Sequence, residues 1–75
     1  MRHSDLKVNE FVVKENEAFR LRVESWECLA PKGLYAVNFI NECLNKDGEV
    51  DFTSTYNFHM TKEDVGNLCK GLMEL

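Results

Sequence analysis

Residues 30–48, APKGLYAVNFINECLNKDG, decide the fold of this chain because two similar turn sequences flank one apolar segment. Ala30-Pro31-Lys32-Gly33 has proline second and glycine last, while Asn45-Lys46-Asp47-Gly48 has asparagine first and glycine last. Both patterns are typical of type I turns, and in the second we expect a left-handed residue to follow the turn. A pair of turns around one segment predicts an antiparallel meander.

The segment between the turns, residues 34–44, has two interpretations. Its apolar side chains also share one side of a helical wheel, so a helix is the alternative. We predict a strand because a turn sequence stands at each end.

Residues 50–60 give the clearest strand pattern, because apolar and polar side chains alternate with only Ser54 interrupting the apolar series. Thr61 is then a good N-cap, and Glu63 and Asp64 suit the first turn of a helix. One apolar stripe follows at helical spacing, made of Val65, Leu68, Cys69, Leu72 and Leu75.

The second turn also predicts a register for the strands that it joins. If Asn45 pairs with Gly48, Val37 lies opposite Tyr56 and Tyr35 opposite Phe58, so apolar side chains share one face.

The segment before the first turn does not fit this sheet. If Ala30 pairs with Gly33, Trp26 lies opposite Val37, but the apolar residues before Trp26 fall on the other face. One explanation is a β-bulge near Glu24-Ser25. The other is a second apolar patch on that face, made of Phe19, Leu21, Val23, Leu34, Ala36, Ile40 and Leu44.

The predicted fold class is therefore α+β: a three- to four-stranded antiparallel meander with one C-terminal helix packed on one face. Residues 6–13 are expected to add an edge strand that turns at residues 14–17. Residues 1–75 are expected to form a single domain, with residues 1–5 frayed.

Length and charge limit the classes of function. A core of 75 residues supplies only about 3–5 kcal/mol of net stability, so a partner subunit is a common addition. The net charge of −4 lies entirely in residues 34–75, which hold three basic and seven acidic side chains. Phosphate contacts need clustered Lys and Arg, so we expect no direct binding of nucleic acid, whereas a basic protein surface is a suitable partner.

Cysteine usage and hydropathy predict a cytoplasmic protein. Cys28, Cys43 and Cys69 are odd in number and widely spaced, which favours free thiols over disulfides or zinc. Residues 1–10 are polar and lack the apolar core of a secretory signal, and no apolar run approaches the length of a membrane span. We expect no membrane partner and no cofactor.

The sequence predicts no catalytic, cofactor-binding or metal-binding residue. Ser54 is expected on the opposite face from Asp51 and His59, which excludes a Ser/His/Asp triad from this strand. The four glycines build no phosphate-binding motif.

The leading hypothesis is a small non-enzymatic protein-interaction module, a regulator or inhibitor of bacterial or phage type that binds itself as a homodimer or another protein. One alternative is a ligand-binding or enzymatic subunit with a cleft between helix and sheet or between subunits. A second is an acidic nucleic-acid mimic. The candidate interface residues are Trp26, Phe19, Leu21, Val23, Leu34, Ile40, Leu44, Glu49 and Asp51.

Overall fold

The computed structural model describes residues 6–75 and contains one antiparallel sheet followed by one helix. The strands are β1 (Leu6–Glu15), β2 (Phe19–Glu27), β3 (Leu34–Leu44) and β4 (Val50–Thr61), and the helix is α1 (Lys62–Met73). The strands are ordered β1-β2-β3-β4 in the sheet. This confirms the predicted α+β meander and the choice of a strand for residues 34–44. The predicted fraying of residues 1–5 lies outside the described residues.

The turn between β3 and β4 has the predicted form. The Gly48 N–H donates to the Asn45 carbonyl at 2.9 Å, and Gly48 is left-handed with φ of 82°. The Asn45 side-chain oxygen also accepts from the backbone N–H groups of Asp47 and Glu49. Asparagine and glycine therefore fix this turn for the reasons that their positions predicted.

The register of β3 with β4 differs from the predicted one by two residues. Val37 lies opposite Phe58 rather than Tyr56. One residue of the difference arises because the turn is closed by Asn45 and Glu49, and the other because Asp51 is an extra residue next to the pairing of Leu44 with Val50. The even shift keeps the side chains from Phe52 to Met60 on their predicted faces, whereas Val50 lies opposite Leu44 and so leaves the apolar face.

The register of β2 with β3 differs by one residue, which reverses the faces of β2. The Cys28 N–H donates to the Leu34 carbonyl, so residues 29–33 form the loop. Trp26 therefore lies opposite Ala36, not Val37. The pairing continues without interruption from Phe19 to Glu27, so the predicted bulge at Glu24-Ser25 is wrong.

Irregular pairing occurs instead in β1, the edge strand. Its register against β2 shifts between Lys7 and Asn9 and again between Val12 and Lys14. Extra residues of this kind increase the local twist of an edge and discourage the addition of another strand.

Side-chain alternation gives the sheet two unlike faces. The charged face is formed by Arg20, Arg22, Glu24, Trp26, Ala36, Asn38, Ile40, Glu42, Thr55, Asn57 and His59. The apolar face is formed by Phe11, Val13, Phe19, Leu21, Val23, Tyr35, Val37, Phe39, Cys43, Phe52, Tyr56, Phe58 and Met60. The correct register therefore brings the apolar side chains of β2 onto the same face as those of β3 and β4.

The buried core is shallow. The buried apolar side chains among the described residues are Val23, Cys28, Ala36, Val37 and Ile40, each still 7–8% exposed. The helix contributes no buried residue. Stability that comes from burial is accordingly concentrated in the centre of β2 and β3.

Candidate interaction face

The apolar face is largely open to solvent, although α1 lies on its side of the sheet. On β4, Tyr56 is 59% exposed and Phe58 50% exposed, and Phe52 is exposed as well. Phe11 on β1 is exposed to a similar extent. The helix leaves both Tyr56 and Phe58 half open.

The helix is anchored at its first turn. Thr61 is the N-cap: its hydroxyl oxygen accepts from the Asp64 N–H at 3.1 Å, and the Asp64 carboxylate accepts from the Thr61 N–H at 3.0 Å. This reciprocal pair is a capping box, and it fixes the direction in which the chain leaves β4. The predicted cap at Thr61 is confirmed.

The apolar stripe of α1 faces the sheet without touching it closely along its length. Val65 is partly buried, Leu68 is 38% exposed and Leu72 is 55% exposed. The backbone of α1 makes its close approaches mainly to β4. The helix therefore leaves much of β1, β2 and β3 uncovered.

A groove of about 480 Å³ separates α1 from the sheet. Phe11, Val23 and Val37 line its sheet side, and Val65 and Leu72 line its helix side. A second hollow of about 400 Å³ lies beside Leu68, against Phe39, Tyr56, Phe58 and Met60. Leu68 lines both spaces.

The polar groups in the groove are few. Asn9, Ser25 and Lys62 line it together with the apolar side chains, and the Lys62 ammonium lies 5.9 Å from the centre of the Tyr35 ring. Among its described lining residues there is no His, Asp or Glu. The groove therefore offers apolar contact and one positive charge.

The charged face is held together by its own ion pairs. Glu42 is buried and accepts from Arg20 at 2.6 Å and from Arg22 at 3.4 Å. Arg22 also donates to Glu10 at 3.0 Å and to Glu24 at 3.2 Å. This network crosses β1, β2 and β3 and leaves the buried carboxylate with partners on both of its oxygens.

These contacts shift the pKa values of the acids. The hydrogen bond from Arg20 lowers the pKa of Glu42, with Arg22 acting in the same direction and burial opposing both. The hydrogen bond from Lys7 lowers the pKa of Glu10, and the same contact raises the pKa of Lys7. The network is thus adapted to the ionised form of its carboxylates.

Trp26 belongs to the charged face. The Lys7 ammonium lies 5.3 Å from the centre of its ring, and its indole N–H donates to Glu24 at 3.4 Å. The ring is half-buried, with the N–H satisfied and a cation over its surface. The ring therefore has local partners of its own.

The predicted interface residues separate into three groups. Phe19, Leu21 and Val23 lie on the apolar face, and the proposal of a second patch that joins them to Ala36 and Ile40 is wrong, because the five-residue loop before β3 reverses the parity of β2. Leu34, Ile40 and Leu44 lie on the side of β3 away from the apolar face. Trp26 lies beside the charged network. Glu49 and Asp51 are exposed at the start of β4.

A cleft between helix and sheet was one of the alternatives that the sequence offered, but the sequence did not identify the part that β1 plays in it. Phe11 and Val13 line the groove, but β1 has no clean alternation because two extra residues interrupt it. The predicted number of strands could have indicated an uncovered region, because a sheet of four strands is wider than one helix.

Ser54 and His59 lie on opposite faces of the sheet, as predicted, whereas Asp51 is the extra residue beside the pairing of Leu44 with Val50. His59 lies opposite Ala36 on the charged face, and Ser54 lies opposite Asn41 on the other side of the sheet. Within residues 6–75, no three His, Cys, Asp or Glu side chains gather as a potential metal site. No helix in this part of the chain has the length and apolar character needed to cross a membrane.

Comparison with protein-family models, with curated proteins and with solved structures finds no match to this chain.

Proposed function

We propose that this protein is a small non-enzymatic interaction module that binds a protein partner through its apolar face. The observation that carries the proposal is the exposure of two aromatic side chains on that face, Tyr56 and Phe58 of the edge strand β4. Contiguous exposed apolar surface of this kind is characteristic of protein-binding sites, and aromatic residues are enriched there.

The contrast with the charged face supports the choice of surface. Each carboxylate of the network around Glu42 and Arg22 already has a cation within the chain. A partner on that side would have to replace existing ion pairs, whereas a partner on the apolar face would bury surface that has no contacts yet. The apolar face therefore gains more free energy from being covered.

The size and acidity of the chain suit a regulator or inhibitor of bacterial or phage type, and we propose the cytoplasm as its location. Cys28, Cys43 and Cys69 are free thiols, which persist in reducing compartments. Adjacent substitutions on the two faces of β4 test the surface.

The test compares Tyr56→Glu with Thr55→Glu as baits in crosslinking capture from a lysate of the organism of origin. Both residues are exposed, and their side chains lie on opposite faces. We expect the wild type and Thr55→Glu to recover the same protein and Tyr56→Glu to lose at least about tenfold of it, because a buried carboxylate opposes binding. Equal recovery by both variants, in folded protein, contradicts the proposal.

A ligand-binding subunit is the second candidate, because the helix–sheet groove exists and is almost entirely apolar. Its occupant would be an apolar molecule with an anionic group near Lys62. Native mass spectrometry of the purified protein, with Lys62→Gln as the comparison, would detect a retained small molecule. The mimic of nucleic acid has less support, because Glu42 is buried and paired rather than displayed.

A further inference from the structure

The apolar face is too wide for one helix. Strands lie about 4.8 Å apart, so four of them present a face roughly 19 Å wide. A helix with its side chains is about 10 Å across. With α1 close to β4, half of the face is left for a second element of similar width, and the groove lined by Phe11, Val23 and Val37 lies in that half.

The apolar stripe of α1 has the chemistry that this half of the face requires. Leu68 and Leu72 remain partly exposed in the single chain. The sheet therefore lacks a helix over β1 and β2, while α1 has exposed apolar side chains. If α1 of a second copy packed against this part of the sheet, both apolar surfaces would be buried in one contact.

The apolar face has large side chains left to bury. Phe11, Tyr56 and Phe58 are 48–59% exposed on that face. A stable dimer of standard size buries about 800 Å² on each partner, and aromatic side chains are enriched among the residues that contribute most to binding.

Charge also favours a second copy over a basic partner. The net charge is −4, yet the described groove lining carries no acidic side chain and only Lys62 as a charged group. A basic protein would meet no carboxylate on this face, whereas two acidic copies can approach because their carboxylates lie elsewhere.

We propose that the protein forms a two-fold symmetric dimer in which α1 of each copy lies in the groove of the other. The two sheets then enclose a layer of two helices, and each apolar face is covered by its own α1 and by that of the partner subunit. The inference rests on the proposed function, because it names the partner of the apolar face as a second copy.

Sedimentation equilibrium at high micromolar concentration tests the dimer with a matched pair of helix variants. Leu72→Lys changes the apolar stripe, and Asn67→Lys places the same residue on the exposed far side. We expect twice the chain mass of 8.7 kDa for the wild type and for Asn67→Lys. Because two-fold symmetry introduces each change twice, the dissociation constant of Leu72→Lys should rise by at least about 100-fold.

A second measurement does not depend on variant stability. Cys69 is exposed and lines the groove, so a maleimide should label it at least about tenfold more slowly at concentrations where the dimer forms. The control is Asn67→Cys with Cys69 retained: fragment masses of the labelled chain distinguish the two thiols, and the thiol at position 67 should react at the same rate at every concentration. Concentration-independent labelling of Cys69 contradicts the proposed dimer.

The outcomes separate this inference from the proposed function. A wild type of single-chain mass overturns the dimer, and if Tyr56→Glu still loses a captured protein, the interaction module stands with a different partner. A dimer that survives Leu72→Lys unweakened overturns the helix-in-groove arrangement. A single chain that retains a small apolar molecule overturns both in favour of the ligand-binding candidate.

Discussion

The two faces of the sheet differ in how far their side chains find contacts within the chain. On the charged face, Glu42 is buried because Arg20 and Arg22 reach it from the neighbouring strand, so that face is complete within one chain. On the apolar face, Tyr56 and Phe58 remain half exposed beneath a helix that covers only part of the sheet. Buried polar groups in a small domain need partners within the chain, because an unpaired buried charge is costly, whereas exposed apolar surface is tolerated and often marks a binding site.

The largest expected effect comes from placing a charge at the centre of the apolar face. Val37 is 7% exposed and lies among apolar neighbours, so Val37→Asp should lower the free energy of unfolding by about 3 kcal/mol or more. Urea unfolding followed by circular dichroism measures the loss. The control is Asn38→Asp, which keeps the oxygen that accepts from Asn57 on the charged face and should cost under about 1 kcal/mol. Equal losses would remove the distinction between the faces.

Neutralising the buried acid tests whether the charged face is complete by itself. Glu42→Gln keeps the shape of the side chain but leaves Arg20 and Arg22 without their shared anion. We expect the free energy of unfolding to fall by about 1–2 kcal/mol. Glu15→Gln removes a more exposed partner of Arg20 at 3.6 Å and should cost under about 0.5 kcal/mol. A Glu42 variant as stable as the wild type would show that the network is dispensable.

The same network predicts a dependence of stability on pH. The pKa values of Glu42 and Glu10 in the folded chain lie below their usual value of 4.5. A carboxylate whose pKa is lowered by folding stabilises the folded chain at pH values above its pKa in the unfolded chain. This stabilisation is lost as the pH falls through its pKa in the folded chain. The difference in urea midpoint between the wild type and Glu42→Gln should therefore be constant near neutral pH and shrink below 4.5. A difference that stays constant in acid contradicts the assignment.

The smallest expected effect concerns the anchor of the helix. Thr61→Ala removes the hydroxyl that accepts from the Asp64 N–H and should cost about 1 kcal/mol. Thr61→Ser keeps the acceptor and should lose only a fraction of this amount. The helical circular-dichroism signal and the urea midpoint both report the change. No loss on Thr61→Ala would mean that packing rather than the cap determines the position of α1.

Local sequence signals predicted the strands and the helix correctly, and the errors in strand register came from the lengths of the loops. Alternation identified β4, the Asn45 and Gly48 positions identified their turn, and Thr61 was recognised as a cap. The faces of β3 and of β4 from Phe52 onward were correct because the register differed by an even number of residues. The faces of β2 were reversed because the loop after Cys28 has an odd number of residues.

The alternation within β2 contained the missing information. Its apolar residues Phe19, Leu21 and Val23 alternate with Arg20 and Arg22. Only the observed register puts the apolar residues on the face of Phe39 and Cys43 and both arginines on the face of Glu42. The groove could not be predicted in the same way. It depends on where α1 lies above the sheet, and that position follows from the width of the sheet and the anchor at Thr61.

The order of the strands has a consequence for how the protein is made. Each strand pairs with the one that precedes it in the chain, through the short loops 16–18, 28–33 and 45–49. Short loops lose little entropy on closure, and local pairing makes folding fast. The sheet can therefore assemble strand by strand as the polypeptide leaves the ribosome. Because α1 follows all four strands in the chain, a sheet that assembles in this order exposes its aromatic side chains before the helix has been made.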